Sequence, residues 1–263
     1  MSTAGDQRDQ RFAGIERLYG VGSIARLARA HVCVVGIGGV GSWAAEALAR
    51  SGVGELTLID ADDVCVSNVN RQSHALEGEF GRPKVDVVAE RTRAINPQIR
   101  VHALAEFVTV NNLPALLDRG YDAVIDACDA LRIKVEMIAF CKRRKIPIVV
   151  SGSAGGRSDP TLITARDLTR TEHDILLGLV RRRLRDERGW TRNPKRYFGV
   201  QAVFSRENVN YPQADGSVCK TRNVDAEGGL KLDCGGGLGA AMHVTATFGM
   251  VAAARVIERL LSR

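Results

Sequence analysis

The fold is decided by residues 31–60. They read His31-Val-Cys-Val-Val-Gly36-Ile-Gly38-Gly39-Val-Gly41-Ser-Trp-Ala-Ala-Glu-Ala-Leu-Ala-Arg50, then Ser-Gly-Val-Gly-Glu, then Leu56-Thr-Leu-Ile-Asp60. The Val-rich run 31–35 is short and wholly apolar, as a strand buried on both faces requires. The glycine turn lets backbone approach a phosphate, and the helix that it opens supplies unpaired N–H groups. Asp60 stands nineteen residues after Gly41 and ends the next predicted strand, where a carboxylate can accept from a ribose hydroxyl. Gly36, Gly38, Gly39, Gly41 and Asp60 are therefore candidate nucleotide-binding residues. Ser42-Trp43 follows the turn where a P-loop would need Lys-Ser or Lys-Thr, so that motif is excluded.

Outward from this unit, strand and helix signals alternate. A helix opens at Pro83-Lys84 and stops at Asn96-Pro97. Strand 101–105, a helix near 111–117, strand 123–126, helix 131–144 and strand 146–150 follow. The rhythm predicts an α/β fold: a Rossmann-like, doubly wound, mainly parallel sheet. After Ser151 the rhythm changes to a glycine turn, a helix over 174–188, a basic loop over 189–200, a strand near 202–206 and a loop over 211–217. A final helix spans about 240–261. A C-terminal insertion and a helix returning to the core are expected.

Composition narrows the class. The chain has 263 residues, 45% hydrophobic and 25% charged, which excludes a disordered chain. The net charge of +7 permits an anionic partner. The six cysteines, at 33, 65, 128, 141, 219 and 234, form no CxxC zinc pair and suggest reduced thiols. The opening MSTAGDQRDQRF has no apolar h-region, and a cytoplasmic location is expected. Residues 235–254 carry no formal charge and could span a bilayer by length. Their Gly, Ala and Thr content reads instead as a loop and a buried small-residue helix.

A dense polar run, Asp60-Ala-Asp62-Asp63-Val-Cys-Val-Ser67-Asn68-Val-Asn70-Arg71-Gln72, follows the second strand. Asn68 and Arg71 offer donors to phosphate oxygens, and Arg stays charged at any working pH. Lys84 opens a helix, where the dipole disfavours a cation unless an anion sits there too. Asp126-Ala-Cys-Asp129 closes the fourth strand at the edge where such sheets bind ligands. A carboxylate beside phosphates suggests a bridging Mg²⁺, with Asp129 preferred and Asp126 a possible helix cap. His243 reads as a core histidine, and Cys65, Cys219 and Cys234 as small buried residues.

In order and spacing these motifs resemble the ThiF, MoeB and HesA adenylating superfamily, related to ubiquitin-activating enzymes. The resemblance implies a single ThiF-type domain over 1–263. It comprises an ATP-binding core at 31–155, a substrate-facing insertion at 156–236 and a C-terminal helix at 237–263. It implies ATP on the glycine turn, Asp60 and Asp62 near the ribose, Asn68, Arg71 and Lys84 on the triphosphate, and Asp129 on Mg²⁺. It implies a homodimer in which an N-terminal arginine of one protomer, Arg11 or Arg17, reaches the other's ATP.

RFxGxxRLYG, DDVCVSNVNRQ, YPQADGSVC and DCGGGLGAAMHVTATFG narrow the resemblance to the tRNA-modifying dehydratase branch. That branch implies activation, by ATP, of the carboxylate of a threonylcarbamoyl group on the adenosine beside the anticodon, followed by ring closure. Residues 181–196 hold eight basic and two acidic residues: Arg181, Arg182, Arg183, Arg185, Arg188, Arg192, Lys195 and Arg196 against Asp186 and Glu187. They are expected to meet tRNA phosphates, with Trp190, Tyr197 and Phe198 stacking on bases. tRNA, and not DNA, is the expected partner. The alternatives are an adenylating activator of a ubiquitin-like sulfur carrier, a dehydrogenase sharing the glycine turn, and a non-catalytic RNA-binding module.

Overall fold

The computed structural model describes residues 4–213, 215–220 and 238–262; Cys234 and glycines 235–237 lie outside them. Two helices, α1 (Ala4–Tyr19) and α2 (Ser23–Arg29), precede strand β1 (His31–Val35). Then come α3 (Gly41–Arg50), β2 (Glu55–Ile59), α4 (Lys84–Ile95), β3 (Arg100–Leu104), α5 (Leu113–Leu117), β4 (Ala123–Asp126), α6 (Leu131–Arg144) and β5 (Ile148–Ser151). The chain continues through β6 (Ile163–Asp167), α7 (Ile175–Arg188), β7 (Gln201–Ser205), a short hairpin of β8 (Tyr211–Pro212) and β9 (Val218–Cys219), and α8 (Met242–Leu261).

Seven strands form one sheet in the order β3-β2-β1-β4-β5-β7-β6. All pairings are parallel except β6 with β7, which is antiparallel. This is the doubly wound sheet that the sequence predicts. The middle segment was not foreseen to extend it: β7 pairs directly with β5, and β6 closes that edge. The helix over Ala4–Tyr19 was not foreseen either.

The period-2 pleat of β1 divides the core. Val32 and Val34 join the apolar cluster that holds Leu48, Leu58, Val85 and Phe248. Cys33 and Val35 join the cluster on the other face, with Ile138, Leu177 and Phe204. Both faces are covered, so the strands are apolar throughout. On the first face α8 lies on α3, and close approach is built from small residues. A Cβ on Gly249 would sit 2.4 Å from the Val40 carbonyl oxygen. The uncharged stretch is thus a packed helix, and among the described residues no helix is long and apolar enough to cross a membrane. It begins at Met242, two residues later than expected.

Candidate active site

The order β2-β1-β4 makes the gap between the carboxyl ends of β1 and β4 the topological switch point, where doubly wound sheets bind ligands. The glycine turn fills that gap. Gly36 has φ +85°, and a Cβ there would lie 2.9 Å from the backbone of Ala127 and Cys128, just past β4. A Cβ on Gly41 would collide with the Gly36 carbonyl. Both glycines are required before any ligand is considered. At Gly38 a Cβ would meet only the tip of the Gln72 side chain, at 3.8 Å, so this backbone surface stays approachable.

Asp60 leaves β2 beside this turn. Its Oδ2 accepts from the Ile37 N–H at 2.6 Å and its Oδ1 from the Asp62 N–H at 2.9 Å. Each oxygen keeps a lone pair for a ribose hydroxyl. The Asp62 carbonyl takes the Lys84 N–H at 3.0 Å, and its carboxylate takes the Lys84 ammonium at 2.8 Å. Lys84 is 4% exposed at the first residue of α4. A solvated surface lysine is thereby ruled out, since this ammonium is held against a helix N-terminus that opposes it.

The loop 67–72 crosses the turn. The Arg71 carbonyl accepts from the Trp43 indole at 3.0 Å and the Thr245 hydroxyl at 3.3 Å. The Arg71 stem and Thr245 both approach Gly39. The Arg71 guanidinium donates through Nη1 to the Ser67 carbonyl and to Asn70 Oδ1, which leaves Nε and Nη2 for an anion. Asn70 in turn donates to the Ala240 carbonyl at 2.8 Å, fastening the entry to α8. Asn68 is brought less close: it is buried, and its Oδ1 accepts from the Cys65 N–H, holding the turn that carries Arg71.

Of the two acids at the end of β4 and just past it, only Asp129 is exposed. Asp126 is fully buried and pairs with Lys134 Nζ at 2.8 Å. Burial works against the charge on Lys134, but the Asp126 carboxylate outweighs it and holds the ammonium's pKa above its usual value. Asp126 is therefore spent inside the protein, where its Oδ1 also takes the Cys128 N–H. A lone oxygen donor such as Asp129 suits Mg²⁺, which keeps several waters and takes its other oxygens from phosphate. Sequence reading missed Lys134 because its partner lies on another element. It also missed His31, Glu55 and His102, which gather at the amino ends of the strands, remote from this site. There Glu55 already takes Arg100 and His102.

The model of the ThiF family matches residues 11–262. This chain belongs to the ThiF family. It is 51% identical over 254 residues to the tRNA threonylcarbamoyladenosine dehydratase of Escherichia coli K12, covering 97% of this chain and 94% of that protein. The protein of that name from Haemophilus influenzae Rd is 48% identical over 258 residues, covering 98% and 96%. The solved E. coli tRNA N6-threonylcarbamoyladenosine dehydratase in complex with ATP superposes with a TM-score of 0.87 at 46% identity, covering 99% and 98% of the two chains.

In this ThiF-family chain the two N-terminal arginines differ. Arg11 Nη1 donates to the Ile95 carbonyl at 2.7 Å, on its own protomer. Arg17 is exposed on α1, beside the exposed side chains of Leu18 and Val21.

The basic segment is less open than expected. Arg181 is half-buried on the Thr171 hydroxyl, and burial lowers its pKa. Arg185 lies 5.6 Å over the Phe198 ring. Arg188 pairs with Glu136, and Arg192 with Asp186. Arg182, Lys195 and Arg196 face solvent. Two of the three aromatics are corrected: Phe198 is buried, and Trp190 packs edge-on against it at 4.7 Å. Only Tyr197, 65% exposed with Arg170 at 4.9 Å from its ring, remains available to a base. Three further readings change. His243 is exposed and engages the Ser158 carbonyl, so it is not a core residue. Cys65 and Cys219 are exposed as well.

Proposed function

We propose that this protein is an ATP-dependent tRNA threonylcarbamoyladenosine dehydratase. It adenylates the carboxylate of the threonylcarbamoyl group on the adenosine beside the anticodon. The observation that carries the adenylating chemistry is the buried Lys84 ammonium, set at a helix N-terminus against Asp62. The tRNA substrate is carried by end-to-end likeness to relatives of that name. A sulfur-carrier activator fits less well, because those relatives match about half of the chain.

The chemistry follows from charge. The substrate carboxylate attacks the α-phosphorus of ATP and pyrophosphate leaves. Both reactants are anionic, so the site must neutralise them before they meet. Arg71 and Lys84 supply fixed positive charge over the turn, and the N-terminus of α3 supplies N–H donors. Asp60 holds the ribose. Asp129 would hold Mg²⁺, which supplies charge neutralisation on the phosphate oxygens. A nucleophile within the same side chain then closes a ring on the activated carbonyl, and AMP leaves. Proximity drives that step, so no enzyme thiol is needed.

The functional unit is a homodimer in which Arg17 crosses to the partner's nucleotide. Its support is that Arg11 is held by its own α4 while Arg17 is not held by any other described group. Residues 31–155 serve as the ATP-binding core, the segment 156–220 serves the tRNA, and the helix Met242–Leu261 returns to the core. Arg182, Lys195 and Arg196 make the principal phosphate contacts within the tRNA-facing part, with Arg181, Arg185, Arg188 and Arg192 behind them.

Substrate labelled with oxygen-18 in the threonyl carboxylate tests the reaction. Attack on the α-phosphorus transfers one labelled oxygen to AMP and none to pyrophosphate. Unlabelled AMP would overturn it.

A further inference from the structure

A second concavity opens on the same edge of the sheet, beside the ends of β5 and β7. Its volume is about 340 Å³. That is near the low end for clefts that enclose small molecules, roughly 300–1,000 Å³, and suits a nucleoside better than a protein tail. Its lining is amphipathic. Tyr211 contributes an aromatic ring, and Ile175 and Val209 contribute apolar surface. Asn208 brings an exposed side-chain amide, and Lys220 an ammonium that pairs with Glu207 at 3.3 Å yet stays 56% exposed.

Three connections fix the cavity relative to the nucleotide site. Asp174, at the head of α7, accepts from the Ser153 N–H at 2.9 Å and the Leu177 N–H at 2.8 Å, tying α7 to the segment that leaves β5. The Gly156 N–H donates to the Gly239 carbonyl at 2.7 Å, and the Asn210 N–H to the Gly156 carbonyl at 2.8 Å. From Gly239 the chain runs to Ala240, held by Asn70, and on to Thr245 over Gly39. One strap thus borders both sites. β5 is two strands from β1, which at ~4.8 Å per strand is about 10 Å. An extended threonylcarbamoyl arm, four to five bonds from purine nitrogen to carboxylate, spans roughly 5–6 Å by the reach of an extended chain. The purine covers the remainder.

One wall is held from behind by a buried arginine. Arg157 is buried, and its Nη2 donates to the carbonyl of His173, a lining residue, at 2.5 Å. Among the described residues its Nε and Nη1 are buried without a partner.

The geometry points to this cavity as the receptor of the modified adenosine itself. Tyr211 stacks on the purine, Asn208 reads its polar edge, and Lys220 meets a flanking phosphate. The basic face of α7 then carries the neighbouring backbone. This assignment rests on the dehydratase reading and names where its substrate sits.

The test uses full-length Tyr211→Ala, Tyr211→Phe and Asn208→Ala proteins. AMP release is followed with tRNA that carries the modified adenosine. Binding of ATP and of the same tRNA without the modification is measured in parallel. Loss of one base stack should raise KM for modified tRNA roughly 10- to 100-fold in Tyr211→Ala, with kcat little changed. Tyr211→Phe should restore it, and Asn208→Ala, at an exposed position, should raise KM without loss of fold. ATP should bind as in the parent protein, while unmodified tRNA, whose adenosine offers the same purine face, should be weakened as well. Unchanged KM in both alanine variants, or ATP binding weakened as much as tRNA binding, would overturn the assignment. If the parent protein releases no AMP on modified tRNA, the dehydratase reading fails and the assignment falls with it. Failure confined to the variants concerns the cavity alone.

Discussion

Lys84 Nζ and Asp62 Oδ2 lie 2.8 Å apart, with the lysine buried and the aspartate 55% exposed. The pair is asymmetric: water can solvate Asp62 if its partner is lost, whereas the Lys84 ammonium is enclosed by protein. Lys84→Met keeps the bulk of the side chain and removes only the charge. We expect AMP formation to fall by roughly 10²–10³-fold, the usual effect of losing one preorganised group at a developing charge. The urea midpoint should move little. Steady-state kinetics and urea denaturation check both halves.

The Asp126–Lys134 pair should behave in the opposite way. Both side chains are fully buried. Lys134→Met leaves a carboxylate stranded in the core and should cost about 3–5 kcal/mol. Adding Asp126→Asn should recover most of that loss, because no buried charge then remains. Denaturant unfolding of the single and double variants measures the difference.

Much of this site was legible because its motifs are local. The glycine turn, Asp60, Arg71 and Lys84 fall within one chain segment or open one element, so spacing alone places them. Lys134 was not legible, since it meets Asp126 only when α6 folds back beneath the end of β4. Trp190 and Phe198 sat beside a basic run and were read as base-stacking residues. Sequence does not show which face of a loop turns inward, and here the two rings pack on each other. β6 was missed for a related reason. It is an edge strand, Ile-Thr-Ala-Arg-Asp, without the continuous apolar run of the central strands.

Helix α8 is expected to hold the nucleotide site shut through its contact with α3. Gly249→Ala places a Cβ 2.4 Å from the Val40 carbonyl oxygen. Overpacking of this kind should cost about 1–3 kcal/mol. It should also weaken ATP binding, because Thr245 at the head of the same helix covers Gly39. Urea denaturation and ATP titration read the two effects.

His74 gives the site a pH signature. Burial, then the charges of Lys84 and Arg91, lower its pKa to about 4. The folded protein therefore keeps it neutral, while the unfolded chain takes a proton near ~6.5. Between those values the unfolded state binds more protons, so stability rises with pH. Stability should be lost as pH falls from about 6.5 toward about 4 and should change no further through this group below that. His74→Gln should flatten the slope in that window, as read from urea midpoints against pH.

Removing Arg182, Lys195 and Arg196 together should weaken tRNA binding without regard to modification. If each meets one phosphate, the slope of log K against log salt should fall by roughly 2–3. Arg188→Ala, whose partner is Glu136, should leave the slope nearly unchanged. Filter binding across a salt series separates them.

The central claim is that ATP is consumed to activate a carboxylate on tRNA. Its most direct test is AMP release from ATP with bulk bacterial tRNA present or absent, followed by mass spectrometry of the nucleosides. The account requires AMP release that depends on tRNA and a threonylcarbamoyl nucleoside lighter by one water. AMP release that ignores tRNA, or proceeds only with a small carrier protein, would contradict it.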